Sequence, residues 1–110
     1  MPITKLHTWY KIAESKSEIM LPDNSTALLS VSGKKICLMK WQGNLYACAH
    51  KCPHASGLMH EGWIDALGNI VCPSHRYKFS IHNGRNTSGE GYFLKMYPIE
   101  EREDGIYIGL

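Results

Sequence analysis

Residues 48–60 read CAHKCPHASGLMH, and residues 72–79 read CPSHRYKF. Together they gather cysteine and histidine into two loops, each flanked by β-prone sequence. Thiolate and imidazole are the donors that zinc and iron–sulfur clusters favour. The first stretch holds two Cys-x-His pairs, Cys48/His50 and Cys52/His54. The second of these is the better candidate. Pro53 stops regular strand pairing and bends the chain, and Gly57 then permits a loop that curls around a bound group. Cys48 and His50 follow Leu45-Tyr46-Ala47 without a turn residue, so they read as the tail of a strand. The second loop offers Cys72 and His75, with Pro73 in the bending role. Any one of these residues alone would be read as structural. Four of them in two Cys/Pro/His loops are read as ligands.

The sequence around these loops is β-like. Thr26 to Val31, Lys35 to Trp41 and Leu45 to Cys48 are separated by Ser32-Gly33-Lys34 and Gln42-Gly43-Asn44, which predicts a three-stranded meander. Trp63-Ile64 and Ile70-Val71 flank Asp65 to Asn69 as a second hairpin. Lys78 to Ile81 runs into Asn83-Gly84, a strong turn dipeptide. Lys95 to Glu100, a turn at Asp104-Gly105 and Ile106 to Ile108 close the chain. Only Glu14 to Met20 carries a helical signal, one or two turns long. The expected fold is all-β, a sandwich or small barrel. In it the early strands share one sheet with the C-terminal pair, because a two-stranded ribbon alone is marginal.

Composition bounds the function. At 110 residues and 12.4 kDa the chain has the size of one domain. It is 44% hydrophobic and 20% charged, which is ordinary globular usage and argues against disorder. Twelve Lys and Arg against ten Asp and Glu leave +2, with no long run of one sign. That balance supports neither nucleic-acid binding nor a polybasic membrane surface. No apolar stretch approaches a membrane helix, and MPITKLHTWYKIAE lacks the apolar centre of a signal peptide. The expectation is a soluble, cytoplasmic protein. In a reducing compartment its four cysteines are then ligands or packing groups, and a disulfide framework is disfavoured.

The pattern Cys52-x-His54, seventeen intervening residues, then Cys72-x2-His75 resembles the Rieske family of 2Fe–2S proteins. The similarity runs on through Cys52-Pro53-His54-Ala55-Ser56-Gly57-Leu58 to Gly62. It continues in Ile70-Val71-Cys72-Pro73, the aromatic exit Tyr77-Lys78-Phe79, Asn83-Gly84 and the closing strands. The resemblance implies one Rieske domain over 1–110, with the cluster-binding part at about 48–80 formed by two loops. It also implies one 2Fe–2S cluster, with Cys52 and Cys72 on the inner iron and His54 and His75 on the outer. With two thiolates and two neutral imidazoles the oxidised core is formally neutral, whereas four thiolates would leave it dianionic. Adding an electron to a neutral core is easier, so histidine ligation raises the reduction potential.

Three features of the high-potential respiratory branch are missing. Its two disulfide-forming cysteines would fall at Gly57 and Ser74, and its Ser and Tyr hydroxyls at Tyr77 and Phe79. The chain therefore looks like the low-potential branch, near the lower end of the range of about −150 to +300 mV. Arg76 departs from the family, which usually has Gly directly after the second histidine.

That resemblance implies a stand-alone ferredoxin, a one-electron carrier with no substrate-transforming site of its own. Its implied partners are a flavin-dependent NAD(P)H reductase and a terminal oxygenase, such as an aromatic-ring dioxygenase. The small Rieske subunit of an NAD(P)H nitrite reductase is the alternative within the family. A structural zinc-binding interaction module, using the same Cys2His2 set, is the alternative from another class. A monomer is expected, as the simplest case for a shuttle that docks twice through one exposed edge.

The remaining residues are read plainly. Cys37 is a small buried hydrophobe, Cys48 a half-buried thiol and His50 a surface histidine. His7, His60 and His82 are expected to face solvent, and Trp9, Trp41 and Trp63 to pack on strands. Lys51, Arg76 and Lys78 bracket the ligands, either as a basic docking rim or as ordinary solvated charges.

Overall fold

The meander forms as its turns dictate. In the computed structural model, which describes residues 7–54 and 57–110, the strands are β1 (Trp9–Ala13), β2 (Ser25–Val31), β3 (Lys34–Trp41), β4 (Asn44–Ala49) and β5 (Trp63–Ile64), followed by β6 (Asn69–Val71), β7 (Lys78–Ser80), β8 (Met96–Tyr97), β9 (Ile99–Arg102) and β10 (Gly105–Gly109). Val31 pairs directly with Lys34, and Trp41 with Asn44, so each hairpin closes on two residues. Ser32-Gly33 and Gln42-Gly43 all have positive φ, between 49° and 79°, as the primed turns of twisted hairpins require.

Three antiparallel sheets result: β1-β10-β9, β2-β3-β4-β8 and β5-β6-β7. The four-stranded sheet is the middle layer, and the alternation of side chains along it decides which layer each residue meets. Cys37 and Met39 on β3, and Cys48 on β4, face one buried cluster with Met59, Ile70, Cys72, Phe79 and Leu94. Ile36 on β3, Ala47 on β4 and Tyr97 on β8 face the opposite cluster with Ile108. Ile36-Cys37-Leu38-Met39 is buried throughout for this reason, its neighbours facing opposite cores. At roughly 1.5–3 kcal/mol for each large apolar side chain, these two clusters supply the main stabilising term.

Two expectations need correction. The C-terminal pair does not join the early strands: β9 and β10 form their own sheet with β1, and only β8 pairs with β4. The physical reason is Pro98, which has no N–H and divides the run from Lys95 to Glu100 between two sheets. Its carbonyl accepts the Gly109 amide at 3.0 Å, tying the switch point to β10. The second is β1 itself, a strand that the sequence reading passed over and which supplies the third partner of that sheet. The helical signal at Glu14 to Met20 yields a single 3-10 turn, Lys16–Glu18.

Candidate metal centre

Two loops at the end of β5-β6-β7 are built on one plan. The Cys52 amide donates to the Gly57 carbonyl at 2.8 Å, and the Cys72 amide donates to the Tyr77 carbonyl at 2.9 Å. Each cysteine thus closes its own loop by bonding five residues ahead. Arg76 completes the second loop by donating its amide to the Cys72 carbonyl at 2.9 Å. Lys51 bridges Leu58 at the neck of the first loop, which fixes it to the following 3-10 turn, Met59–Glu61.

The loops touch. A Cβ built on Gly57 would lie 2.7 Å from the Cys72 sulfur and 2.6 Å from the Ser74 hydroxyl, so only glycine lets the first loop lie against the second cysteine. Gly57 and Ser74 are the two positions where the disulfide of the high-potential branch was expected, and they do face each other. None of the four cysteines is in a disulfide.

Cys52 and Cys72 are buried, at 4% and 0% exposure, while His54 is half-buried and His75 exposed. The two imidazoles meet edge to face, with ring centroids 4.7 Å apart. The His54 Nδ1 is buried and has no hydrogen-bond partner among the described residues. An orphaned ring nitrogen inside a site lined with thiols is a donor prepared for a metal, because otherwise its desolvation would go uncompensated. Inner thiols and outer imidazoles at adjoining loops fit a 2Fe–2S cluster, in which each iron takes one like pair of donors. Among the described residues, no three His, Cys, Asp or Glu side chains converge as a single-ion site needs.

A third wall was missed from sequence. Tyr77 lies 4.2 Å from the His54 ring, and Tyr92 lies 5.4 Å from it and 5.9 Å from Tyr77. Burial, followed by the nearby Glu90 carboxylate, holds the Tyr77 hydroxyl above the usual phenol range. The signal available was the long stretch 82–94 between two strands, rich in turn residues (Asn83-Gly84 and Ser88-Gly89-Glu90-Gly91).

The other candidates lie elsewhere. Cys48 is fully buried, not half-buried, and sits directly opposite Cys37 across β3 and β4. The hydrogen bond with Cys37, and then burial, raise its thiol pKa well above the usual value, so it is a packing group. His50 and His60 are half-buried rather than solvent-facing; their rings stack at 5.6 Å and each has a buried, unpartnered Nδ1. Burial, then the charges of His60, Lys35 and Lys51, lower the His50 pKa. His7 is half-buried, and His82 is exposed between Trp41 and Tyr46. Trp41 packs on the cluster-side core as expected, but Trp63 is 46% exposed. Lys51 and Arg76 are exposed, while Lys78 reaches Asp65 at 3.5 Å.

Comparison with known families agrees with this geometry. The family described as Rieske [2Fe-2S] domain matches residues 8–94, most of the chain. The chain belongs to this family. A Rieske domain's cofactor is one 2Fe–2S cluster, and the donor set above is suited to it. The Rieske chain is 25% identical over 87 residues to the ferredoxin component of an alkene monooxygenase system from Xanthobacter autotrophicus, covering 79% of this chain and 71% of that one. It is 31% identical over 98 residues to the NAD(P)H nitrite reductase of Emericella nidulans, covering 81% of this chain but only 9% of that protein. Its fold matches the ferredoxin of carbazole 1,9a-dioxygenase from Nocardioides aromaticivorans with a TM-score of 0.77 at 20% identity, covering 92% of this chain and 96% of that one. Among the described residues, no helix is long and apolar enough to cross a membrane.

Proposed function

We propose that this chain is a soluble, cytoplasmic one-electron carrier of the Rieske ferredoxin type, acting as a single domain over 1–110 with its cluster-binding part at about 48–80. It accepts an electron from a flavin-dependent NAD(P)H reductase and delivers it to a terminal oxygenase. In this reading Cys52 and Cys72 hold the inner iron, and His54 and His75 hold the outer. Bound there, the cluster supplies a one-electron couple. The protein's part is to bury the thiolates, orient the imidazoles and leave one ligand edge at the surface. The supporting observation is the asymmetry of the site: buried Cys52 and Cys72 beneath a half-buried His54 and an exposed His75. An exposed ligand gives a short path to a docked protein, and the chain needs no catalytic site of its own. A monomer docking twice through this edge, with neither membrane nor nucleic acid as partner, completes the proposal.

Variants test the ligand set. His54→Ala and Cys72→Ser should lose the cluster or change its type, whereas Cys48→Ala should keep the mixed Cys/His spectrum. Loss of that spectrum in Cys48→Ala alone, with Cys52→Ser retaining it, would overturn the assignment.

The 31% identity to a nitrite reductase favours a second reading, the small Rieske subunit of such an enzyme. A subunit would co-purify in a fixed ratio with a larger chain, whereas a carrier would purify alone and remain reducible by its reductase.

A further inference from the structure

Residues 85–93 form a loop that is heavily bonded for an exposed segment. The Asn86 side-chain amide donates to the Lys78 carbonyl at 3.0 Å, to the Ser88 hydroxyl at 3.2 Å and to the Glu90 carboxylate at 3.0 Å. Its oxygen accepts the Gly91 amide at 2.8 Å. The Ser88 hydroxyl donates to Glu90 and accepts the Lys78 amide at 2.9 Å. Thr87 donates to the Asn69 side chain at 3.0 Å, which ties the loop to β6. These bonds hold Glu90 two residues before Tyr92, whose ring meets His54 at 5.4 Å and stacks at 5.9 Å with Tyr77.

We propose that this loop is a tuning wall of the cluster site, in which the fixed Glu90 carboxylate and the Tyr77–Tyr92 ring pair over His54 hold the reduction potential down. The inference rests on the Rieske reading above. With two thiolate and two imidazole ligands, accepting an electron takes the core from neutral to anionic. A fixed carboxylate nearby opposes that charge, and rings that keep water from His54 deny it solvation. Both effects therefore act in the same direction. Hydrogen bonds from Ser88 and Asn86 hold the Glu90 carboxyl below its usual pKa, so it is ionised at neutral pH. Glu90 is exposed, so its influence should weaken as salt is added.

The test is a potentiometric titration of holoprotein followed by EPR, at low and at high ionic strength. Glu90→Gln keeps an acceptor oxygen for Ser88 and Asn86 and removes only the charge. Its midpoint should lie above that of the parent at low salt, and the gap should shrink at high salt. Glu90→Asp should stay near the parent, and Tyr92→Ala should shift upward with little salt dependence. An unchanged or lowered midpoint in Glu90→Gln, with the parent EPR shape intact, overturns the proposal. So does a changed EPR shape, since it would make Glu90 a structural support. A parent protein without a mixed-ligand signal would defeat the Rieske reading itself, a distinct failure.

Discussion

Arg76 stands at φ +60° with its side chain exposed, directly after the exposed ligand candidate His75. An L-residue in that region is strained by roughly 1–2 kcal/mol. Its conformation is dictated by the backbone, since the Arg76 amide must reach the Cys72 carbonyl to close the loop. The family's usual glycine at this place is thus explained by geometry. Arg76→Gly should stabilise the protein by about 0.5–1 kcal/mol once the extra freedom of unfolded glycine is offset. A thermal midpoint about 2–6 °C higher checks this, and a lower one contradicts it. An exposed guanidinium is well screened, so the potential should fall only slightly. At this scale the ligand candidates were legible because thiol, imidazole and proline at fixed spacing announce their chemistry. Burial was not, and His50 and His60 show why. Whether a histidine meets solvent depends on a neighbour distant in sequence, here each other.

Among the elements, β2, β3 and β4 were legible because two-residue turns with a glycine mark both of their junctions. The third loop was illegible because its identity lies in side-chain bonds and not in a periodic pattern. Asn86 is its hub, and Asn86→Ala should remove the anchors to Lys78, Glu90 and Gly91 together. The expected loss is about 1–3 kcal/mol, with faster hydrogen exchange at the Gly91 amide and little change at Ile106 in the distant sheet. Equal acceleration at both sites would show that the loop does not behave as a local unit. The strand β1 escaped notice for a different reason. Five residues with an exposed Lys11 in the middle are too short for alternation to stand out, and the strand exists because β10 offers it an edge. The split of the closing run at Pro98 belongs to the same class: the proline is visible in sequence, but the sheet each half chooses is not.

Across the whole molecule, the central sheet divides labour. One face packs on the β1-β10-β9 sheet through Ile36, Ala47, Tyr97 and Ile108; the other packs on the cluster end through Cys37, Met39 and Cys48. Cys52 and Cys72 belong to that second core, so the candidate metal centre is continuous with the packing that supports it. A rigid layer behind the loops lets them present His75 outward without themselves being well packed on all sides. This arrangement suits a protein that transfers an electron, because it leaves the candidate ligand His75 exposed at the surface. The central claim is that Cys52, His54, Cys72 and His75 hold a mixed-ligand 2Fe–2S cluster. The most direct measurement is the EPR spectrum of the dithionite-reduced protein, with iron, sulfide and zinc determined on the same sample. A rhombic signal with the low average g-value of a Cys/His-ligated cluster, with iron and sulfide in equal amounts, is the predicted result. An EPR-silent protein carrying stoichiometric zinc would contradict it.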